Sequence, residues 1–197
     1  MTPAGRLLRF ELRLLRSLLL VALRRVDGVG PGDVPLPYAR AGTPTGLLFT
    51  GLSVAELLVV ELTVPWPAVR QVLLLLGLWG LLVVAGLLAM EWTHPHVARA
   101  DALLVRARGL VTVRVPWDAV AAVERRGRHE HSRWAIDHGH LHLPVAGSTA
   151  LDLVLSRPLP VRVGRQRGAV TRISVAVDDV ADAARVLGLL HSEAGRC

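Results

Sequence analysis

GLLFTGLSVAELLVVELTVPWPAVRQVLLLLGLWGLLVVAGLLAM, residues 46–90, contains two apolar runs separated by a Pro-Trp-Pro reversal. Leu47–Val64 is 18 residues long and Val69–Met90 is 22, with Arg70 and Gln71 at the start of the second. A helix rises ~1.5 Å per residue, so about 20 apolar residues cross a hydrocarbon core of ~30 Å. Pro65 and Pro67 break both helix ends and force a tight turn. Trp66 and Trp92 then stand at opposite interfaces, as an aromatic belt requires. The expectation is a transmembrane helical hairpin over residues 46–92.

The flanks set its orientation. Residues 1–45 carry seven arginines, the connection between the spans only Arg70, and the stretch after the second span Arg99, Arg106 and Arg108. The positive-inside rule places both termini in the cytoplasm and the Pro-Trp-Pro turn outside, giving a multi-pass protein of the cell membrane. In residues 1–26, Arg6, Arg9, Arg13 and Arg16 recur at helical spacing among leucines. Two readings stand open: a basic amphipathic helix lying on anionic lipid, or a helix packed on another part of the protein; a signal peptide is disfavoured, because the uncharged stretch Ser17–Leu23 is short and is closed by Arg24 and Arg25. Residues 27–45, DGVGPGDVPLPYARAGTPT, read as a Gly/Pro linker.

Beyond the hairpin the pattern changes. In DALLVRAR (101–108), Leu103, Val105 and Ala107 alternate with arginines; after Gly109, Val111, Val113 and Val115 alternate with Thr112 and Arg114. This period of two predicts a β-hairpin. Further strands are expected at 120–125, 140–144, 151–155, 159–163 and 171–177. Asp178 is the expected N-cap of a final helix through His191, with Val180, Ala183, Ala184, Leu187 and Leu190 on one face.

The stretch ALLVRARGLVTVRVPWDAVAAVE and the closing TRISVAVDDVADAARVL resemble the pleckstrin-homology-like (PH-like) domains of bacterial, notably actinobacterial, integral membrane proteins of unknown function. The likeness covers roughly residues 45–191. It implies a membrane α-helical hairpin plus a cytoplasmic α+β domain over 97–191: a PH-like, partly open antiparallel β-barrel capped by a C-terminal helix. It does not imply an enzyme. Some relatives of the fold bind phosphoinositides through a basic loop between the first two strands, but here that turn is tight.

All 23 basic residues are arginine, and the formal net charge is +7. A positive chain at a membrane favours anionic headgroups. Arg106, Arg108, Arg114, Arg125 and Arg126 are the candidate contacts with lipid or a protein partner, with Arg162, Arg165, Arg167 and Arg172 as a later group. Solvated strand faces account for them equally well, since residues 91–197 hold 15 Arg against 11 acids. Nucleic acid is disfavoured: there is no recognition-helix pattern, and few aromatics offer stacking platforms.

Glu56 is the tenth of the 18 residues of the first run. An ionisable group at mid-membrane costs ~3 kcal/mol on insertion scales, so it must be neutralised or must face a helix or a water pocket. It reads either as helix-to-helix glue, the favoured reading, or as an ion-linked site. Glu61 is expected to pair with Arg70. Gly51 with Ala55, and Ala85 with Ala89, are small pairs suited to close helix packing or to a homo-oligomer.

His129, His131, His138, His140 and His142 fall within 14 residues. Neutral imidazoles bind zinc, but no HExxH spacing and no nearby cysteine supports a metal centre, so solvated histidines are favoured. Cys197 reads as an unpaired terminal thiol. No phosphate loop, nucleophile elbow or cofactor motif is present. The leading expectation is a non-enzymatic membrane-anchored module binding lipid headgroups or a protein partner. The alternative is a subunit of a small transport or cell-envelope assembly with Glu56 at an oligomer interface.

Overall fold

The structure, a computed structural model, describes residues 3–129, 134–164 and 166–194. The chain divides into two compact units, Met1–Arg25 with Gly42–Thr93, and Val26–Ala41 with His94–Cys197.

The first unit is helical: α1 spans Pro3–Ala22, α2 Thr43–Thr63 and α3 Pro67–Thr93. α2 starts with a proline in its first turn, where the missing N–H costs nothing. It stops at Val64, whose extended backbone is what a following proline imposes. α3 begins on Pro67. α2 starts before its expected span and α3 overruns its span at both ends, giving 21 and 27 residues, or roughly 32 and 40 Å. Both are long and apolar enough to cross a membrane. Their large side chains are largely exposed, Leu48 and Leu62 among them, and α2 buries no residue. Helices apolar all round are buried in a large core or sit in a membrane, and this unit has no core that covers them.

Glycines set the helix approaches. A Cβ on Gly77 would lie 2.7 Å from Leu57 of α2, one on Gly46 2.7 Å from Leu88 of α3, and one on Gly86 2.8 Å from Leu14 of α1. Gly51 and Ala55 are exposed and take no part in these contacts within the chain. α1 therefore packs on α3, burying Leu14 and Ser17. Leu8, Leu12, Leu15 and Leu19 on another side of it stay more than half exposed. The Trp79 indole donates to Glu11 (3.3 Å), and the Trp92 indole donates to Thr43 at 2.9 Å. Glu61 and Arg70 meet across the turn at 3.8 Å, as expected.

The second unit is α+β. Its first sheet has the order β1 (Val34–Leu36), β2 (His96–Ala98), β3 (Ala102–Ala107), β4 (Val111–Pro116). A 3-10 turn at Trp117–Ala119 leads to β5 (Val120–His129), followed by β6 (Ala135–Asp137), β7 (His140–Leu143), β8 (Ser148–Val163) and β9 (Gln166–Val175). These five form a second sheet in the order β5-β8-β9-β7-β6. Helix α4 (Val180–Ala194) closes the chain.

The β3–β4 hairpin lies where alternation placed it, with Val105 facing Val113. Its turn needs Gly109: φ is +60°, and a Cβ would sit 2.6 Å from the His94 ring. The inward residues Leu103, Val105, Val111, Val113 and Val115 join Leu151, Leu153 and Ile173 of the second sheet in one core, which Ala183 and Leu187 of α4 complete.

Four expectations change. Residues 27–41 are no free linker: β1 pairs with β2 at the sheet edge, and Leu36 and Tyr38 are buried. A proline is tolerated there because an edge strand does not need every N–H. The strands expected at 151–155 and 159–163 are one strand, β8, whose register shifts between Val154 and Leu159. Pro158 lies in that irregularity, where the missing donor is harmless. β7 runs parallel to β9, so the second sheet is mixed rather than wholly antiparallel. The N-cap of α4 is Asp179, whose carboxylate accepts from the Asp182 N–H at 2.8 Å, while Asp178 accepts from the Arg40 N–H.

Candidate functional sites

The candidate arginines are distributed over both sheets. Arg106 turns onto the 27–33 segment: its guanidinium donates to the Asp27 carbonyl at 2.7 Å and lies where a Cβ on Gly28 would be. Arg99 fastens the same segment through Asp33 (3.2 Å) and the Gly28 carbonyl (3.3 Å). Arg114 is ion-paired with Asp101. Arg108 sits in the β3–β4 turn with φ +48°, and its N–H donates to the Tyr38 hydroxyl at 2.8 Å. Arg125 and Arg126 lie on β5, in the other sheet, and are exposed. Arg162 and Arg167 face each other at the end of the β8–β9 hairpin, also exposed, while Arg165 lies outside the described residues. The exposed arginines Arg125, Arg126, Arg162 and Arg167 lie on the second sheet, while the first sheet exposes Arg114 in its ion pair with Asp101.

The histidine cluster also divides. His131 and the side chain of His129 lie outside the described residues. His138 is solvent-exposed beside Asp137 (3.4 Å). His140 and His142 are ordered on β7 with their rings 3.8 Å apart. Strand pairing aligns His142, Ser174, Asp152 and Glu124 across β7, β9, β8 and β5. The His140 ring nitrogen Nε2 is 2.7 Å from the Ser174 hydroxyl, which donates in turn to the fully buried Asp152. Arg172 completes the row, 3.3 Å from Asp152 and 3.7 Å from Glu124. A buried carboxylate is tolerable only when paired and hydrogen-bonded, and this row supplies both. Among the described residues no group of three or more metal-binding side chains converges. The sequence signal for this row was Asp152 inside LDLVL, an acid amid core residues.

His96 carried no local signal. It is buried against Tyr38, with ring centroids 4.6 Å apart. Its Nδ1 accepts from the Arg106 N–H (2.9 Å), so Nε2 carries the proton donated to the Ala176 carbonyl (2.9 Å). Burial pushes the imidazole down from 6.5 to about 4; the Ala176 hydrogen bond opposes this and the Arg106 charge adds to it. The neutral ring joins β2, β3 and the segment after β9.

In the helical unit, Glu56 lines a groove of about 310 Å³ between α2 and α3, together with Ser53, Gly77 and Gly80. No protein-family model, curated protein or solved structure matches the chain.

Proposed function

We propose that the chain is a membrane-anchored module without a reaction of its own. In this reading α2 and α3 span the cell membrane, both termini and the α+β unit are cytoplasmic, and that unit is a PH-like domain whose second sheet contacts anionic lipid headgroups. The observation that carries the reading is the pairing of two long, exposed apolar helices with a separate α+β unit. The arginine distribution supports the orientation. The exposure of Arg125, Arg126, Arg162 and Arg167 supports the second sheet as the contact surface, at about 1 kcal/mol per well-placed basic residue.

The test uses the full chain, because residues 26–41 belong to the α+β unit. Reconstituted in nanodiscs of neutral or mixed neutral and anionic lipid, β5 and the β8–β9 hairpin gain hydrogen-exchange protection only in the anionic discs, and lose it with added salt. Replacing Arg125 and Arg126 by Ala removes the difference. Equal protection in both discs refutes the lipid reading and leaves a protein partner as the ligand.

A further inference from the structure

Three of the four glutamates of the helical unit have a partner: Glu11 meets Trp79, Glu61 meets Arg70, and Glu91 is buried with an interaction of its own. Glu56 has none among the described residues, and it is exposed about two thirds of the way along α2. Lipid tails offer a carboxyl group neither a donor nor an acceptor. Beside it, one turn away on the same helix, is the Ser53 hydroxyl, and across the groove are Gly77 and Gly80 of α3. Gly77 is covered by Leu57, but above Gly80 there is open space: a Cβ there meets nothing within 4 Å. The groove thus presents a carboxyl, a hydroxyl and a bare stretch of helix backbone on one side of the hairpin.

From this we infer that the groove is filled by the same groove of a second copy of the chain, with Glu56 of each copy hydrogen-bonded to Ser53 or Glu56 of the other. The surface is self-complementary. A carboxyl can both donate and accept, and a serine hydroxyl does the same, so a two-fold arrangement gives each polar group a partner without requiring a foreign cation. The absent side chain at Gly80 lets the opposing helix approach the backbone closely, as small residues do in membrane interfaces. This inference rests on the membrane-spanning reading above.

The experiment uses the full chain labelled at Cys197, its single cysteine, with donor and acceptor dyes, reconstituted in vesicles of neutral and anionic lipid. Energy transfer is read against protein density, and stoichiometry by stepwise photobleaching. Resistance to alkaline carbonate extraction reports insertion separately. A chain that fails to insert refutes the membrane reading; a chain that inserts and bleaches in single steps at every density overturns the dimer alone. The expected result is two-step bleaching, with association weakened about tenfold by Glu56→Leu and by Gly80→Leu. A Cβ at Gly80 meets nothing within 4 Å, so the side chain of Gly80→Leu starts in the open groove that the neighbour would fill. Glu56→Gln, which keeps a donor and an acceptor, retains association. Wild-type association of either Leu variant overturns the proposal, and a monomeric Gln variant overturns the hydrogen-bonded pairing.

Discussion

His96 makes the stability of the α+β unit depend on pH between about 4 and 6.5. In the unfolded chain an imidazole titrates near 6.5, and in the fold burial lowers His96 to about 4. Below pH 6.5 the unfolded state therefore binds a proton that the folded state refuses, and stability falls as pH falls. His96's contribution is complete above 6.5 and is lost as the pH drops through 4. Each pH unit between the two values is worth about 1.4 kcal/mol, so the full loss is about 3 kcal/mol, of which about 2 kcal/mol has gone by pH 5. The assay is urea unfolding of the full chain in neutral detergent at pH 7.5, 6 and 5, followed by near-UV circular dichroism. The control is His96→Gln, which keeps a donor and an acceptor but does not titrate. It is less stable than the wild type at pH 7.5 because the amide fits poorly between Tyr38, the Arg106 N–H and the Ala176 carbonyl. Its stability changes by about 2 kcal/mol less between pH 7.5 and 5. Parallel pH curves for the two proteins would refute the argument, because they would mean that His96 is not buried neutral.

Two further substitutions test the fold around the candidate sites. Asp152→Ala removes the buried acceptor shared by the half-buried Arg172 and the buried Ser174 and lowers the urea stability by about 3 kcal/mol, whereas Glu124→Gln, at the more exposed end of the same row, costs about 1 kcal/mol or less. Asp179→Ala removes the cap of α4 and costs about 1 kcal/mol, with amide exchange rising first in the opening turn of that helix; equal exchange in variant and wild type would return the capping role to Asp178.

The elements the sequence determined by itself are those written in a short window. The two apolar runs name two long helices because length and apolarity are properties of the run alone. The 103–115 alternation and Gly109 define the β3–β4 hairpin because side-chain period and turn residue are local. The apolar face of 180–190 names α4 for the same reason, though the choice between adjacent acids for its cap depended on Arg40, far away in the chain. Glu56 was also legible, as a carboxyl within an apolar run.

Only the tertiary structure decided what meets across long separations. A Gly/Pro segment became an edge strand because β2 offered it an unpaired edge and Arg99 and Arg106 reached back to hold its carbonyls. For that reason Arg106, an outward arginine by alternation, is a structural clamp and not part of an open surface. β7 lies parallel to β9, a pairing that no alternation pattern specifies. It brings His140 to Ser174 and so to Asp152. His96 became a buried neutral ring because Tyr38, Arg106 and Ala176, distant in sequence, surround it in the fold. Periodicity records which face of an element is apolar, but not which other element will cover it. That is settled by the pairing of backbone donors and acceptors and by the packing of the core.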